Sequence, residues 1–522
     1  MRLPFLRIFF LIVFSQSFVY SYGQHYNFPL NYYSHLFLEK GLSTYDTLSS
    51  PSFKSTPESW LRLDSVWAYS NSETHYSIAS EKLYSDHLIN INKGELNMSI
   101  DLLGVQEFSN ELSDTSAYSD TTRFYHNSRG YLVKGSIGSN FSFESSFLEN
   151  QVYAPTYLRD RIVERDVFPG EGRVKDFNNG GFDFAQSGGY LSYSPSTKVN
   201  LQFGHGKSFI GNGHRSLLLS DNTANYPYLR VNLRFLNNRL KYHTTLATLT
   251  NLERLPIGDT PESRFKIKNA SFHFIEFNPH PKISIGVFEA IIWKRYDNED
   301  GTINFNYASL NPLPLIHSFA FDDENNDLIG FDLKYQVNKN LKTYGQFLLD
   351  QKGNGFQLGL RSNELFIPDL YLLAEINNVD PFAYTSEDPL QNYSHINQEL
   401  GHPLGADFQE IVLRGTYFFK KRFFGDLQLN LHTIGHDGND SLNYNNGNNI
   451  FLSNDNPNQS DATFDETVLF SSLTIGYLFN PQSNLNAYIR WVHRGTDDET
   501  VHDNSFLRLG IRTSIFNNYD DY

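Results

Sequence analysis

The sequence predicts an all-β fold, a transmembrane antiparallel β-barrel of roughly 18 strands with a small irregular or helical N-terminal periplasmic region. Three observations carry this. Apolar and polar residues alternate over long stretches from about Lys93 onward. The connections between those stretches switch between tight turns and long polar loops. Beyond the N-terminus no stretch reaches the roughly 18 apolar residues that a helical span needs.

Taken in order, residues 1–23 read as a signal peptide. Arg2 and Arg7 supply the positive start, Ile8 to Phe14 is an unbroken apolar run, and Ser21-Tyr22-Gly23 ends in a small residue, which puts cleavage before Gln24. The apolar run is too short for a membrane anchor. Residues 24–92 form a second region with scattered Tyr, Ser and Pro and little periodicity. They read as a periplasmic or lumen-filling segment, with short helices around Asn31–Lys40 and Ser80–His87. Residues 93–522 are the barrel.

A period of two puts alternate residues on opposite faces of a strand. Leu229, Val231, Leu233 and Phe235 share one face; Arg230, Asn232 and Arg234 share the other. Ile329 to Val337, Leu427 to Leu431, Leu473 to Phe479, Leu485 to Trp491 and Leu507 to Ile515 repeat the pattern. Tight turns fall at Ser194–Lys198, Leu236–Arg239, Asn278–Lys282, Asn338–Asn340, Lys420–Phe423 and Asn480–Asn484, rich in Asn, Pro, Gly and Ser. Long polar loops fall at 151–187, 296–327, 378–407 and 433–465. Short turns on one rim and long loops on the other are the outer-membrane pattern. A soluble β-sandwich or propeller would have shorter strands. It would also not end its apolar faces in aromatics, as Tyr417-Phe418-Phe419 and Tyr477-Leu478-Phe479 do in the manner of an interfacial girdle.

Composition narrows the function. The formal charge of −16 argues against a nucleic-acid partner. Cysteine is absent, which excludes disulfides, thiolate metal sites and cysteine nucleophiles. A mean hydropathy of −0.44 suits a barrel whose alternate strand residues face a polar lumen.

The densest unusual stretch is 203–231, FGHGKSFIGNGHRSLLLSDNTANYPYLRV. Glycines 204, 206, 211 and 213 surround His205, Lys207, His214 and Arg215. Two readings stand. The glycines let backbone amides approach an anionic or sugar ligand. Alternatively a loop folds into the barrel, and its His and Arg bond carbonyls and carboxylates. It is not a Walker loop. The lumen-facing rows hold Arg230, Arg234, Arg414, Arg490, Arg508 and Arg512. These would bind an acidic polysaccharide bidentately, or pair with Asp and Glu in a network that plugs the lumen. The polysaccharide-binding candidates are Arg230, Arg234, His205, Lys207, His214 and Arg215. Acidic loops at Asp322–Asp327 and Asp437–Asp440 have oxygens suited to calcium, but solvated loops are the simpler reading. His395, His402 and Asp407 share one loop without zinc spacing. No Gly-x-Ser-x-Gly element stands out. No enzyme activity, metal or cofactor is expected.

The 203–231 stretch resembles a signature of the Wzi-like capsule-assembly family of outer-membrane barrels. Its elements are Phe209-Ile210-Gly211-Asn212-Gly213 and Ser216 to Asp221. The usual Trp-Gly-Pro-Gly form is replaced by Phe-Ile-Gly-Asn-Gly. That variant resembles a branch found in Bacteroidetes, which includes the gliding-motility protein RemB. Further matching blocks are FPGEGRVKDFNNGGFDFAQSGGYLS, Leu310-Asn311-Pro312, Tyr344-Gly345-Gln346-Phe347 with Asp350, Gly355 to Gly359, Ala374 to Asn377, and HINQELGHPLGADF.

The resemblance implies an 18-stranded barrel without enzyme activity. It implies a role in assembling or attaching capsule or exopolysaccharide, or in gliding over surfaces. The partners it implies are outer-membrane lipid, surface polysaccharide, and components of gliding or secretion machinery. Because the Trp-Gly-Pro-Gly form is missing, a lectin role does not carry over residue by residue. The alternative is a passive porin-like channel. A TonB-type transporter ranks lower, because the N-terminal region is too short for a plug and roughly 18 strands fall short of 22. A barrel lipase lacks a paired Ser and His motif.

Overall fold

The computed structural model describes residues 26–43, 50–61, 77–254, 265–295, 325–436, 447–454, 464–498, 501–513 and 516–522. The strands are β1 Ile89–Lys93, β2 Leu96–Glu111, β3 Phe124–Ile137, β4 Phe141–Tyr153, β5 Lys175–Phe177, β6 Gly181–Ser196, β7 Val199–Gly206, β8 Tyr226–Phe235, β9 Leu240–Arg254, β10 Phe265–His280 and β11 Ile283–Lys294. Then come β12 Asn326–Asn338, β13 Leu341–Leu349, β14 Asn354–Asn363, β15 Leu370–Val379, β16 Ser394–His395, β17 Gln398–Glu399, β18 Phe408–Phe419, β19 Phe423–His436, β20 Phe464–Asn480, β21 Leu485–Thr496 and β22 Asn504–Arg512.

Eighteen of these close into an antiparallel barrel. Each pairs with the next along the chain, and β22 returns to β2 with Arg512 opposite Val105 and Phe506 opposite Glu111. Closure leaves no free edge, which a strand in lipid requires because hydrocarbon offers its amides no partner. The other four strands are accessory. β1 pairs with the start of β2 and β5 with the start of β6. β16 and β17 form a hairpin inside a loop.

The alternation read from sequence is the alternation seen. On β8, Leu229 is 49% exposed and Arg230 is 0%. The apolar face looks outward, to where lipid lies. The polar face looks inward: Asn200, Gln202, Asn232, Asp332, Gln357, Glu375, Asn377 and Asn430 are all buried. All six predicted tight turns lie between hairpin partners on one rim, and the turns at 138–140 and 364–369 join them. On that rim Phe419, Phe423, Tyr477 and Phe479 form a chain of rings, with successive centroids 6.5, 4.8 and 4.9 Å apart. This is the expected girdle, with one correction: period two turns Phe418 inward, where it packs on Tyr33 and Phe424.

The long loops sit on the opposite rim with trimmed bounds. The first loop runs only from 154 to 180 and contains the helix Thr156–Arg165 and β5. β19 extends to His436 and β20 begins at Phe464. Strand pairing also begins earlier than Lys93, at Ile89. The signal-peptide residues 1–23, most of the 296–327 loop and Asp437–Asp440 lie outside the described residues, as do Asp322 to Glu324.

Among the described residues, two α-helices belong to the N-terminal region. Tyr32–Ser43 is capped by the Asn31 side chain, whose Oδ1 accepts from the Tyr33 amide at 3.0 Å. It lies within the barrel, burying Tyr33 and Leu36 against Tyr371, Phe418 and Phe424. Glu39 holds it to the wall through Lys342 Nζ at 2.6 Å and Arg361 Nη1 at 3.2 Å. The helix Ile78–Tyr84 sits at the short-turn rim, where Arg422 donates to the Tyr84 carbonyl at 3.2 Å and Asn480 to the Lys82 carbonyl at 3.1 Å.

Inward-facing glycines make room for what fills the lumen. A Cβ on Gly330 would stand 2.2 Å from Leu218 Cδ2. Gly330→Val is therefore expected to destabilise the barrel by about 1–3 kcal/mol through overpacking. Gly425→Ala, at a position whose Cβ would meet nothing within 4 Å, should leave the unfolding midpoint near the parent's. Urea unfolding of the two variants in detergent checks the contrast; equal midpoints would sink it.

Candidate functional site in the filled lumen

After β7 the chain turns into the barrel, and residues 207–225 run through the lumen almost wholly buried. The glycine-rich part is an amide nest for one wall carboxylate. Glu375 Oε2 accepts from the His214 amide at 2.8 Å and the Tyr344 hydroxyl at 2.8 Å. Its Oε1 accepts from the Arg215 amide at 3.1 Å and Asn377 Nδ2 at 3.0 Å. Four bonds satisfy the carboxylate. Gly213 is needed here because its Cβ would lie 2.1 Å from Glu375 Oε2. The amides thus grip the protein's own glutamate.

Arg215 is the hub. It is 1% exposed, and its Nη2 lies 2.9 Å from Asp521 Oδ2 and 3.3 Å from Glu410 Oε1. Glu410 Oε2 in turn meets His402 Nε2 at 2.9 Å. Burial alone would lower the Arg215 pKa, but Asp521 and Glu410 hold it above its ordinary value. The Ser-Leu-Leu-Leu-Ser-Asp element is a staple. Leu217, Leu218 and Leu219 are buried in the main core cluster. The Ser216 hydroxyl accepts from the Leu218 and Leu219 amides at 3.2 Å. Tyr384 donates to the Leu217 carbonyl at 2.7 Å. The segment 50–56 clamps the same loop: the Lys54 amide donates to the Phe209 carbonyl and the Gly211 amide to the Ser52 carbonyl, each at 2.9 Å.

The remaining candidates are placed as follows. Arg230 donates to Thr245 at 3.2 Å, Gln202 at 3.3 Å and Ser208, and lies over the rings of Tyr228 and Phe53. Arg234 donates to the Thr197 carbonyl at 3.0 Å and covers Trp60. Lys207 Nζ donates to the carbonyls of Gly170 at 2.7 Å and Thr223 at 3.2 Å. His214 Nε2 lies 3.3 Å from Asp521. His205 stands apart, half-buried beside the Ser187 carbonyl. So His214 and Arg215 come together, whereas Arg230, Arg234, Lys207 and His205 each have separate partners. His395 bridges the Thr250 amide and the Asn225 carbonyl, away from His402. Among the described residues no cluster suits a metal ion.

Sequence reasoning missed the segment 516–522. It leaves the barrel wall after β22 and re-enters the lumen. Asp520 forks onto Arg490, with Nη1 at 2.7 Å and Nη2 at 3.1 Å, and reaches Arg508 Nη1 at 3.3 Å. Tyr519 donates to Asp221, and Tyr522 donates to Asn222 at 2.9 Å. The signal was present in the run Tyr519-Asp520-Asp521-Tyr522, where alternation has stopped and carboxylates face a wall of arginines.

Burial would raise both tail carboxyls, yet Arg490 and Arg508 hold Asp520 below its ordinary range, and Arg215 with His214 does the same for Asp521. Depressed carboxylates stabilise the fold fully above the unfolded pKa of about 4, and that stability is lost as pH falls through the folded values. The unfolding midpoint is expected to hold between pH 5 and 7 and to drop below about pH 4. Asp520→Asn with Asp521→Asn should flatten that drop; an unchanged acid limb would count against it.

Between the N-terminal helix, the tail and the wall lies a cavity of about 170 Å³. Its lining includes Arg361, Arg414, Arg490, Arg508 and Arg512.

An 18-stranded closed barrel with an apolar exterior and a lumen packed by its own chain defines an outer-membrane protein of the filled-barrel class. The family model described as capsule assembly protein Wzi matches residues 105–505, from β2 into β22. The chain belongs to the Wzi capsule assembly family. Among solved structures, it resembles Wzi of Escherichia coli, described as an outer-membrane protein involved in group 1 capsule assembly and a carbohydrate-binding β-barrel. The TM-score is 0.56 at 12% identity, over 94% of this chain and 99% of that one. Two Pseudomonas aeruginosa barrels also align over 80% of this chain. OprD does so at TM-score 0.42 and 10% identity over 94% of its length, and OccK9 at 0.46 and 11% over 97%. No curated protein matches.

Proposed function

We propose that this protein is a non-enzymatic outer-membrane barrel that attaches or helps to assemble surface polysaccharide, capsule or exopolysaccharide. The observation that carries the reading is the family match from 105 to 505, which spans the barrel and the stapled loop. The filled lumen speaks against the passive porin alternative, since the N-terminal helix, the 207–225 loop and the 516–522 tail occupy the bore. Residues 1–23 act as the signal peptide in this reading, 24–92 as the periplasmic and lumenal region, and 93–522 as the barrel. The Phe-Ile-Gly-Asn-Gly form of the turn supports the finer reading, a Bacteroidetes branch with a part in gliding and contacts to gliding or secretion machinery.

The buried candidates Arg230, Lys207 and Arg215 support the loop architecture, leaving His205 and the long-loop rim as the surface that meets glycan. Purified protein should retain polysaccharide extracted from its own cell surface, and an unrelated barrel should not. Equal retention by both overturns the binding reading. A deletion strain separates the roles: lost capsule staining marks assembly, lost colony spreading marks gliding, and normal results in both refute the proposal.

A further inference from the structure

We propose that the lumenal cavity is a binding site for a compact oxyanion, the carboxylate of an acidic sugar or a free phosphate, and that the 516–522 tail holds part of it with its own carboxylates. This goes beyond polysaccharide attachment at the rim and stands on separate observations.

The first is charge. Five arginines and Lys54 line the cavity, against four carboxylates, those of Glu107, Asp426, Asp520 and Asp521. Arg361 has Glu39 at 3.2 Å, so among the described residues Arg512 and Lys54 are the lining cations without a carboxylate in ion-pair distance, and such unneutralised charge away from bulk water favours an anion. The second is the state of Arg512. Its guanidinium lies over the Tyr488 ring at 4.5 Å. Among the described residues it has no carboxylate within ion-pair distance, and its buried Nε lacks a hydrogen-bond partner. Arg414, by contrast, is held by Asp426 at 3.2 Å, and Arg490 by Asp520 at 2.7 Å. Arg512 therefore offers an open planar fork, the geometry that carboxylate and phosphate oxygens match.

The third is where the neutralising groups come from. Asp426 and Glu107 belong to wall strands, but Asp520 and Asp521 are brought into the lumen by the tail. Asp520 grips Arg490 through both oxygens, as an acidic ligand would. The cavity of about 170 Å³ leaves room beside it.

The test is calorimetric titration of the full-length protein in detergent with glucuronate, inorganic phosphate and glucose. Glucuronate or phosphate should bind, and the pair tells which source supplies the anion; glucose should not bind. Asp520→Asn with Asp521→Asn removes the internal competitor and should tighten anion binding about tenfold. Arg512→Gln should abolish it, and Arg512→Lys should recover part. Retained heat-modifiable migration on a denaturing gel confirms folding; if the double variant fails there, Asp520→Asn alone serves. The proposal is overturned if neither wild type nor the tail variant binds either anion, if glucose binds equally, or if Arg512→Gln changes nothing. Polysaccharide retention without small-anion binding would sink this site and leave the proposed function standing; the converse would do the opposite.

Discussion

Arg215→Ala should lower the unfolding free energy of the barrel by about 3–5 kcal/mol, because it strands buried carboxylates. Asp521 and Glu410 both reach Nη2 of that one guanidinium, and both lie in the lumen core with little exposure. Removing the cation leaves two negative charges facing each other without water. Arg215→Lys keeps the charge but loses the planar fork, so an intermediate loss of about 1–3 kcal/mol is expected. The control is Arg129→Ala. Arg129 also pairs with a carboxylate, Glu149 at 3.0 Å, but its side chain is 69% exposed on the barrel exterior. Such a pair contributes about 0–1 kcal/mol. Equilibrium unfolding followed by tryptophan fluorescence should rank the three variants, and similar losses for Arg215→Ala and Arg129→Ala would refute the hub.

Deletion of residues 516–522 should convert a closed barrel into a conducting one. The tail fills space between the 207–225 loop and the wall at β19, β21 and β22, and its removal leaves Arg490 and Arg508 without Asp520. A bore in which Arg490 has lost its carboxylate and Arg508 keeps only Glu107, at 2.8 Å, favours anions. Planar bilayer recordings should show the wild type nearly silent and the deletion conducting with anion selectivity. A deletion as silent as its parent would mean that the N-terminal helix and the loop suffice as the plug.

How much of this was legible in the sequence depends on which side of the wall a residue faces. The lipid face obeys one rule, apolar at every second position, so strands and turns could be read directly from residues such as Leu229 against Arg230. The inner face obeys no such rule. A polar row has the same pattern whether it meets water or a folded loop, and Asn232 or Gln357 gives no hint of its partner. The two readings of the glycine-rich stretch differed in whether it met a ligand or folded into the barrel against the protein's own groups, and the carboxylate its amides bond, Glu375, lies far along the chain. The run Leu217–Leu219 looks like a strand fragment but buries itself inside the barrel, and inward glycines such as Gly330 and Gly355 carry the complementary signal. The tail was missed because its meaning lies in arginines on β21, β22 and the 207–225 loop.

The tail also imposes an order on assembly. The Tyr32 amide donates to Asn517 Oδ1 at 2.9 Å across 485 residues of sequence, and Tyr519 reaches back to Asp221 across 298. Contacts so distant along the chain form late, since each closes a very long loop. They also need a finished bore, which exists only once β22 has joined β2. The chain therefore seals from inside after the seam closes, and the knot of Asp221, Arg215, Asp520 and Asp521 serves as a latch on a completed barrel. A partly inserted barrel keeps its arginine wall open, so protease access to the last residues should report the moment of seam closure during refolding into lipid.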